Sequence, residues 1–483
     1  MTQEPPLTVL LGLPFHDLTL GETLDYCVTA MAGEQSRYLV TANVDFTAQA
    51  YGDPDLKKIV FFADRVVCDG MPLVWLSRWF GVPLRERVAG SDMAPRLLEI
   101  CAHLKYSVYF FGSDLKTLEA AKEIVEERYP GLHVAGLDSP PVGAVIEWDN
   151  EALCEKMRAS GARLLLVCLG CPKQERWIFA NYQKTGIPLS IGVGASLDFI
   201  TGKQKRAPRW MQKTGMEWFW RMSGSPTRLF SRYCKDLVYL LKAASQQASS
   251  QRLRKILGES VGDVHPLTLQ QEHPVLNLEW QGDLRQSDLA EVPVPAIVET
   301  PVLLYTSKVT SMDSSSLGRL ASLIRICRTA GQMLVVVKPS EAFRIAVTKV
   351  QMNSFFQMVD SESDAMQVLS AHETSGLLHK VIDGGVVRIA FNRPLDALYH
   401  DEMMSILESV IQDTAEIKVL VVDLKEVDFI DSRAVGGLIR VWKLMAAKGG
   451  AMFYADAQPI VRDVIALLRL DKILAEWKGD SAE

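Results

Sequence analysis

The sequence predicts an α/β protein with a parallel sheet in its first half and two similar, smaller α/β modules in its second half. Two observations carry this prediction. In the first half, short apolar strands alternate with helix-like segments, which is the pattern of a parallel sheet flanked by helices. In the second half, a gapless internal repeat contains a strand, a helix and another strand, and such a repeat indicates duplicated modules.

Chain length and changes in composition predict the domain boundaries. A chain of 483 residues is too long for one ordinary core, and typical domain sizes predict about three domains. We expect the sheet domain over residues 1–200, a basic helical appendage over 201–250, a linker over 251–261, and the two modules over 262–372 and 376–483.

Composition excludes several classes of protein. Hydrophobic residues make up 48% of the chain and charged residues 23%, as in globular proteins, and the net charge of −6 argues against a generally basic nucleic-acid binder. No apolar run approaches the roughly 18 residues of a membrane span, and the first residues lack the basic start and cleavage site of a signal peptide. The eight cysteines are scattered, so we expect reduced thiols and a cytoplasmic protein.

The strand-like segments of the first half are SRYLVTAN, ADRVVCDG, YSVYFFGS, ARLLLVCLG and PLSIGVG. Each ends in small or polar residues. Because ligands of parallel sheets bind outside the carboxyl ends of the strands, a site is expected near Asn43, Asp69, Gly112, Gly170 and Gly194. At any one of these positions, simple termination of the strand is an equally good interpretation.

Metal chemistry is poorly supported. The stretch VCLGCPKQERW places Cys168 and Cys171 at the spacing of zinc and dithiol sites, but the chain has no second such pair and no histidine nearby. The D-x-D stretch Asp53-Pro54-Asp55 is better interpreted as the start of a helix, with a capping acid, a proline in the first turn and a second acid near the helix dipole.

The glycines do not form the fingerprint of a classical dinucleotide site, and there is no P-loop lysine. Polar side chains near the strand ends remain. Asp69 follows an apolar strand, where partial burial raises a carboxyl pKa towards that of a general base. The full set of candidates is Thr41, Asn43, Asp69, Arg87 with Asp92, Gln174 with Glu175, and Asp198.

A basic segment follows the sheet domain. Between Lys203 and Lys255 there are thirteen Lys or Arg residues against two acids, interleaved with tryptophans and other aromatic residues. This combination suits an anionic membrane surface, phosphate groups or single-stranded nucleic acid. A solvated helix face is the alternative interpretation.

Seven blocks of the chain resemble the WecG/TagA/CpsF glycosyltransferases, in the family's order over about residues 10–240. They are TANVDF, VCDGMPLVW, LRERVAGSDM, YFFGS, VCLGCPKQERWI, GVGASLDFITGKQKRAPRWMQKTGMEWFWR and SPTRLFSRY. The resemblance implies a Rossmann-like, inverting, metal-independent enzyme without a cofactor. It implies transfer of a sugar, commonly N-acetylmannosamine or its uronic acid, from UDP to a polyprenyl-diphosphate-linked sugar at the cytoplasmic membrane face. Nucleic acid is then not the expected partner.

Carried over residue by residue, the family's proposed catalytic base falls on Asp69. The resemblance implies that the substrate-binding residues are Thr41, Asn43, Arg87, Gln174, Glu175, Gly194 and Asp198. It places Arg206, Arg209, Arg221, Arg228 and Arg232 in a basic appendage facing phosphates and the membrane. Cys171 occupies a variable position of the LG-x-P-K-Q-E turn. The stretch GLDSPPVGAVIEWDN departs from the family pattern, which leaves sugar and acceptor selection open.

The repeated modules resemble STAS domains, the fold of anti-sigma-factor antagonists. The blocks MDSSSLG and IDSRAVG align Gly318 with Gly436 and place Ser314 and Ser432 at the position that is phosphorylated in the antagonists. Phosphate at a helix N-terminus is favoured by the helix dipole, and helix capping is the alternative role. A kinase or another protein is the expected partner of these modules.

The leading hypothesis is a peripheral membrane glycosyltransferase with a regulatory or docking STAS tail. Two alternatives stay open at this point. One is a catalytically silent STAS signalling scaffold, and the other is a transferase of the same family that uses another UDP-hexose.

Overall fold

The computed structural model divides into two compact units, residues 1–360 and 361–483. Each unit is described separately below. The residues described by the structure are 5, 7–143, 145, 148–194, 196–203, 207–208, 211, 220, 239–240, 267–272, 275–284, 300–330, 332–353, 355–374, 379–383, 386–391, 395, 400–413, 417–427, 430, 432–459, 461–462, 465 and 475–477.

The first unit opens with an antiparallel hairpin and continues into a sheet of parallel strands. The hairpin strands are β1 (Leu7–Leu10) and β2 (Leu13–His16), and the sheet strands are β3 (Arg37–Ala42), β4 (Arg65–Cys68), β5 (Ser107–Gly112), β6 (His133–Asp138), β7 (Leu164–Cys168) and β8 (Leu189–Gly192). The sheet order is β4-β3-β8-β7-β5-β6. The predicted α/β class is confirmed, and the five predicted strand segments are β3, β4, β5, β7 and β8.

Helices connect these strands. They are α1 (Leu20–Ala32), α2 (Val44–Gly52), α3 (Pro54–Phe61), α4 (Met71–Trp79), α5 (Gly90–Leu104), α6 (Leu115–Arg128), α7 (Asn150–Ala159), α8 (Lys173–Asn181) and α9 (Ser196–Ile200).

The start of α3 shows how local sequence sets a helix boundary. The Asp53 side chain accepts a hydrogen bond from the Leu56 amide at 3.0 Å, Pro54 opens the first turn, and Asp55 adds an acid near the positive end of the helix dipole. The predicted helix-start interpretation of the D-P-D stretch is confirmed.

The core of the sheet domain lies between the central strands and the helices that cover them. Val108 and Phe110 of β5, Leu164 and Leu166 of β7, and Leu97 of α5 are all fully buried. Burial of each such side chain stabilises the fold by roughly 2 kcal/mol. The apolar runs of the sequence therefore form strands that are covered on both faces, as parallel strands require.

The first module, residues 267–360, completes the first unit. It contains β9 (Leu267–Glu272), β10 (Val275–Leu284), β11 (Val302–Met312), α10 (Ser314–Thr329), β12 (Leu334–Val337), α11 (Glu341–Lys349) and β13 (Gln357–Val359). Its sheet has the order β13-β12-β11-β10-β9. The Asp313 side chain caps α10 by accepting a hydrogen bond from the Ser316 amide at 2.7 Å.

The second unit contains the second copy of the repeat, which we call the second module. The elements of this unit are α12 (Glu362–Thr374), β14 (His379–Asp383), β15 (Val386–Ala390), α13 (His400–Asp413), β16 (Val419–Asp423), α14 (Ser432–Ala447), β17 (Ala451–Ala455) and β18 (Ala475–Glu476). The sheet order is β14-β15-β16-β17-β18. The predicted order of strand, helix and strand is therefore found in both modules.

The first module packs directly on the sheet domain. Helix α10 lies against strand β1, and Val9 and Phe61 of the sheet domain are buried within the hydrophobic core of the module. A Cβ atom added at Gly318 would overlap the carbonyl oxygen of Leu7. Gly318 is therefore required by the close approach of α10 to β1, because any larger residue would push the two backbones apart.

The duplicated glycines provide a matched test of this contact. Gly318→Ala should lower the free energy of unfolding by roughly 1–3 kcal/mol, because the added methyl group overpacks the contact with Leu7. At the aligned Gly436, no atom of the described residues lies within 4 Å of an added Cβ, so Gly436→Ala should be neutral or stabilising by up to about 1 kcal/mol. Calorimetry of the two full-length variants measures the difference, and equal melting temperatures would contradict it.

Candidate active site

The carboxyl ends of the parallel strands bring the candidate residues to one edge of the sheet. Asn43 follows β3, Asp69 follows β4, Gly170 follows β7 and Gly194 follows β8, while Gly112 is the last residue of β5. The strands β4, β3, β8 and β7 lie side by side in the sheet in that order. The residues at their carboxyl ends therefore form a continuous rim. A rim of this kind is where ligands of open α/β sheets bind.

Asp69 lies at the outer end of this rim. Its amide donates a hydrogen bond to the carbonyl of Ala42 at 2.9 Å, which fixes the backbone of Asp69 beside the end of β3. A Cβ added at its neighbour Gly70 would lie 3.8 Å from the Asn43 Cβ, in ordinary van der Waals contact. Asp69 is half-buried, so its carboxylate is held against the protein while remaining in reach of a substrate.

Arg87 lies next to the same strand end. The amide of Val88 donates a hydrogen bond to the carbonyl of Cys68 at 2.8 Å, and the Arg87 guanidinium pairs with Asp92 at 2.7 Å. The Arg87 side chain is 14% exposed, so the pair is largely shielded from solvent. A shielded, anchored guanidinium is suited to hydrogen bonding an anionic group of a substrate.

Gly90 joins the two parts of the rim and is not among the site residues predicted from the sequence. A Cβ added there would lie 3.5 Å from the Thr41 hydroxyl and 3.9 Å from the Cα of Val193. Thr41 belongs to β3, and Val193 follows β8, the strand next to β3. Gly90 lies within the block LRERVAGSDM, which resembles the family. The block alone does not show that Gly90 lies close to both β3 and the end of β8.

Gln174 ties two loops of the rim together. Its Oε1 atom accepts hydrogen bonds from the Gly170 amide at 3.2 Å and from the Gly194 amide at 3.1 Å. A Cβ added at Gly192 would lie 2.6 Å from the Gln174 Nε2 atom, so a glycine is needed for this close approach. In this structure Gln174 therefore sets the shape of the rim between β7 and β8.

Glu175 lies behind Gln174. It is 5% exposed, and its Oε1 atom accepts a hydrogen bond from Gln174 Nε2 at 2.7 Å. Burial raises the pKa of Glu175 to about 7, against the opposing effect of the hydrogen bond from Gln174. Glu175 thus supports the orientation of Gln174, and its carboxyl group changes ionisation near neutral pH.

A long-range ion pair connects α3 with α8. Arg176 Nη2 lies 2.5 Å from Asp53 Oδ2, and both side chains are about one-quarter to one-third exposed. This pair could not be predicted from the sequence, since the two residues are 123 positions apart. It links the helix that carries Gln174 to the segment that leads into β4.

The cysteines of VCLGCPKQERW occupy different environments. Cys168 is buried in β7 within the apolar core, whereas Cys171 is partly exposed in the following turn. Burial, with a smaller contribution from Asp198, raises the pKa of the Cys168 thiol, which disfavours a reactive thiolate. Among the described residues, no group of three or more His, Cys, Asp or Glu side chains is placed to hold a metal ion.

The basic appendage is only partly described. Arg206, Arg209, Arg221, Arg228 and Arg232 lie outside the described residues. Lys203 pairs with Asp114 at 3.0 Å at the start of α6, and the ring of Tyr239 lies 5.6 Å from that of Tyr51 on α2. Both α2 and α6 begin at the carboxyl edge of the sheet, so these two residues of the segment reach helices that border the candidate site.

Comparison with protein-family models decides the identity of the N-terminal part. Residues 8–253 match the model described as the glycosyl transferase WecG/TagA/CpsF family, slightly more than half of the chain. The chain belongs to the WecG/TagA/CpsF family. It is therefore a glycosyltransferase, and the predicted resemblance is confirmed. Residues 241–365 and 378–481 match the STAS domain model, so STAS domains follow the transferase domain.

Curated relatives cover the transferase domain. An N-acetylglucosaminyldiphosphoundecaprenol N-acetyl-beta-D-mannosaminyltransferase of Bacillus spizizenii is 29% identical over 217 residues, which are 45% of this chain and 82% of the relative. A protein of the same name from Staphylococcus aureus is 27% identical over 215 residues, which are 44% of this chain and 82% of the relative.

Solved structures resemble part of the chain. An anti-sigma factor antagonist from Mycobacterium paratuberculosis is 21% identical with a TM-score of 0.20, and covers 22% of this chain and 86% of its own. A sulfate transporter family protein from Wolinella succinogenes is 18% identical, with a TM-score of 0.18. The match covers 20% of this chain and 76% of the Wolinella protein.

The buried carboxyl of Glu175 predicts a pH dependence of stability. With a pKa of about 7 when folded and an ordinary pKa near 4.5 when unfolded, the folded state binds more protons between these values. The contribution of Glu175 to the free energy of unfolding should therefore fall as pH rises from 4.5 to 7. Glu175→Gln mimics the protonated form, so it should flatten this slope and be more stable above pH 7 by up to about 3 kcal/mol.

Urea denaturation between pH 4.5 and 8 measures this effect. Glu127→Gln on the exposed face of α6 is the matched control and should keep the wild-type slope. The same slope in the Glu175→Gln and wild-type proteins would show that Glu175 ionises normally in the folded state.

Proposed function

We propose that the chain transfers a sugar of the N-acetylmannosamine type from a UDP-sugar to a polyprenyl-diphosphate-linked sugar, with inversion at the anomeric carbon and without a metal ion. The names of the curated relatives support this donor and acceptor chemistry. The observation that carries the proposal is the placement of Asp69 at the carboxyl edge of the sheet, beside Asn43 and Arg87.

In the proposed mechanism, the Asp69 carboxylate accepts the proton of the acceptor hydroxyl. The acceptor oxygen then forms a bond to the anomeric carbon from the face opposite UDP, and the bond between that carbon and the UDP oxygen breaks. UDP leaves with the electron pair, while the proton remains on Asp69 until solvent takes it up. A half-buried carboxylate at a strand end suits this role, because general bases must be held within hydrogen-bond reach of the proton that they remove.

Cationic side chains can stabilise the departing diphosphate in place of a metal ion. Arg87 is anchored beside Asp69 by its pair with Asp92, and the five arginines of the appendage are proposed to join it. The D-x-D stretch has another role, since Asp53 caps α3 and pairs with Arg176. Because Asp53 already makes these two contacts, they support a site that uses arginines over one in which Asp53 binds a metal.

Asp69→Asn tests the proposed base. The variant should lose at least about 100-fold in kcat, because an amide cannot accept the proton, while its affinity for UDP stays close to that of the wild type. Transfer is measured with radiolabelled UDP-N-acetylmannosamine and a lipid-diphosphate-linked acceptor, and UDP binding by calorimetry. Asp25→Asn on the exposed face of α1 is the control.

The same assay separates the enzyme from the alternative functions. An Asp69→Asn variant with wild-type turnover would remove Asp69 as the base. A wild-type chain that transfers no sugar from any UDP-hexose would favour the STAS scaffold, and transfer from another UDP-hexose alone would identify a different donor.

We further propose that the enzyme works at the cytoplasmic face of the membrane. None of the helices in the described ranges is both long enough and apolar enough to cross a bilayer. Helix α4 begins two residues after Asp69 and exposes Trp75 by 48% and Trp79 by 67%, one turn apart on the same face, with the exposed Arg78 beside them. Tryptophan and arginine favour the headgroup region of a bilayer, so α4 supports contact with the membrane that holds the acceptor.

The double variant Trp75→Ala/Trp79→Ala tests this contact. It should reduce the fraction of protein that sediments with vesicles containing anionic lipid, by about threefold or more, because both interfacial anchors are removed. Leu104→Ala/Leu115→Ala, which removes two exposed apolar side chains elsewhere, should sediment like the wild type. Equal sedimentation of all three proteins would remove α4 from the membrane interface.

The first module is proposed to dock on the transferase domain. Ser314, Ser315 and Ser316 are all buried at the start of α10, the helix that packs on β1. Their burial supports docking over phosphorylation as the role of this end of the module. Ser432 begins α14 of the second module, where phosphorylation by a partner kinase remains our proposal.

A further inference from the structure

In addition to packing on β1, the first module contacts a stretch of the transferase domain that lies within residues 53–69. At its beginning, Asp53 pairs with Arg176 on the helix that carries Gln174. At its end lies Asp69. The contacts with the first module fall between these two points, on α3 and on the residues that enter β4. The stretch therefore connects both parts of the candidate active site to the module.

Contacts on α3 are both polar and apolar. The buried Lys57 side chain donates hydrogen bonds to the carbonyl of Val350 and, at 3.2 Å, to Oε1 of Gln351. The ring of Phe61 stacks on Phe355, with ring centroids 4.2 Å apart and an angle of 16° between the planes. Lysine is rarely buried without partners, and here the partners of the buried Lys57 belong to the module. These bonds therefore attach α3 to the module.

Arg328 adds a further contact at the end of α3. Its guanidinium carbon lies 4.1 Å from the centroid of the Phe62 ring, within the range of a cation–π interaction. The module thus contacts α3 and the residue that follows it through acceptors for Lys57, an aromatic stack on Phe61 and a guanidinium over Phe62.

Arg325 of α10 reaches the beginning of β4. Its Nη2 atom donates a hydrogen bond to the carbonyl of Asp64 at 3.1 Å, and its Nη1 atom lies 3.1 Å from Nε2 of His16. His16 is 4% exposed, and its Nδ1 atom accepts a hydrogen bond from the Val66 amide at 3.0 Å. Since β4 is an edge strand, His16 takes the place of a neighbouring strand on its outer side.

Asp64 is itself fixed from the other side. Its Oδ2 atom accepts a hydrogen bond from the Tyr38 amide at 2.9 Å, at the start of β3. Only the four residues of β4 separate Asp64 from Asp69, a span of roughly 13–17 Å.

Strand β4 pairs with β3 along its whole length, from Arg65 to Cys68, so its inner side is fixed by the sheet. On its outer side His16 holds the Val66 amide, and Arg325 holds the Asp64 carbonyl just before the strand. Loss of Arg325 should therefore loosen the side of β4 that the sheet does not hold.

We propose that the first module is a positioning element of the transferase, and that Arg325 is the residue through which it fixes β4 and thereby Asp69. This inference rests on the proposed function. Arg325 does not touch the substrate in this scheme; it acts through the carbonyl of Asp64 and the strand. The attack on the anomeric carbon depends on the placement of the base to within about 1 Å, so loosening of β4 should slow turnover.

Kinetics of the full-length chain test the proposal. Arg325→Ala should lower kcat by about tenfold or more, while KM for the UDP-sugar stays within about twofold of the wild-type value because the donor contacts remain. Arg325→Lys keeps the charge but has a shorter side chain and a single nitrogen in place of the guanidinium that binds the Asp64 carbonyl, so its kcat should be intermediate. Arg344→Ala, which removes a surface ion pair of the same module with Asp360, should leave both constants unchanged.

Hydrogen exchange gives a readout that does not need activity. The amides from Val66 to Asp69 should exchange faster in Arg325→Ala than in Arg344→Ala, with Arg325→Lys in between. If the wild-type chain transfers no sugar, the proposed function fails and the exchange result alone decides the inference about Arg325. A folded Arg325→Ala or Arg325→Lys variant with wild-type kcat, or with wild-type exchange at these amides, would overturn it.

Discussion

A short edge strand carries the proposed catalytic base, and much of the first unit acts to hold that strand in place. Strand β4 has four residues, and only β3 pairs with it in the sheet. The imidazole of His16 accepts the hydrogen bond of Val66 on its outer side, and the carbonyl of Ala42 accepts that of Asp69 at its end. Backbone groups of a buried edge need such partners, and here they also fix the backbone that carries Asp69.

The first module extends this arrangement beyond the sheet domain. Its helix α10 approaches β1 closely enough to require glycine at position 318, and its core includes Phe61 of α3. The two copies of the repeat share the glycine and the capping position of the helix, yet no described atom lies near a Cβ built at Gly436. The aligned glycines of the two modules therefore lie in different surroundings, although the modules share the same fold.

Local features of the fold could be predicted from the sequence, and long-range ones could not. The five apolar runs were predicted as strands, and Asp53 was predicted as a helix start, because strand pattern and capping depend on neighbouring residues. Strand β6 was not predicted, since its residues mix apolar and polar types and most are only partly buried. The Asp53–Arg176 pair, and the contact of Arg325 with His16, join residues more than one hundred positions apart. Likewise, burial of Glu175 behind Gln174 depends on the folded loops rather than on the PKQE stretch itself.

The stereochemistry of the product tests the central claim most directly. The full-length chain is incubated with UDP-N-acetylmannosamine and a polyprenyl-diphosphate-linked N-acetylglucosamine, and the anomeric configuration of the newly linked sugar is determined by NMR. Direct attack by an oxygen deprotonated by Asp69 predicts one added sugar whose anomeric configuration is opposite to that in the donor. Retained configuration, or the absence of any transferred sugar, would contradict it.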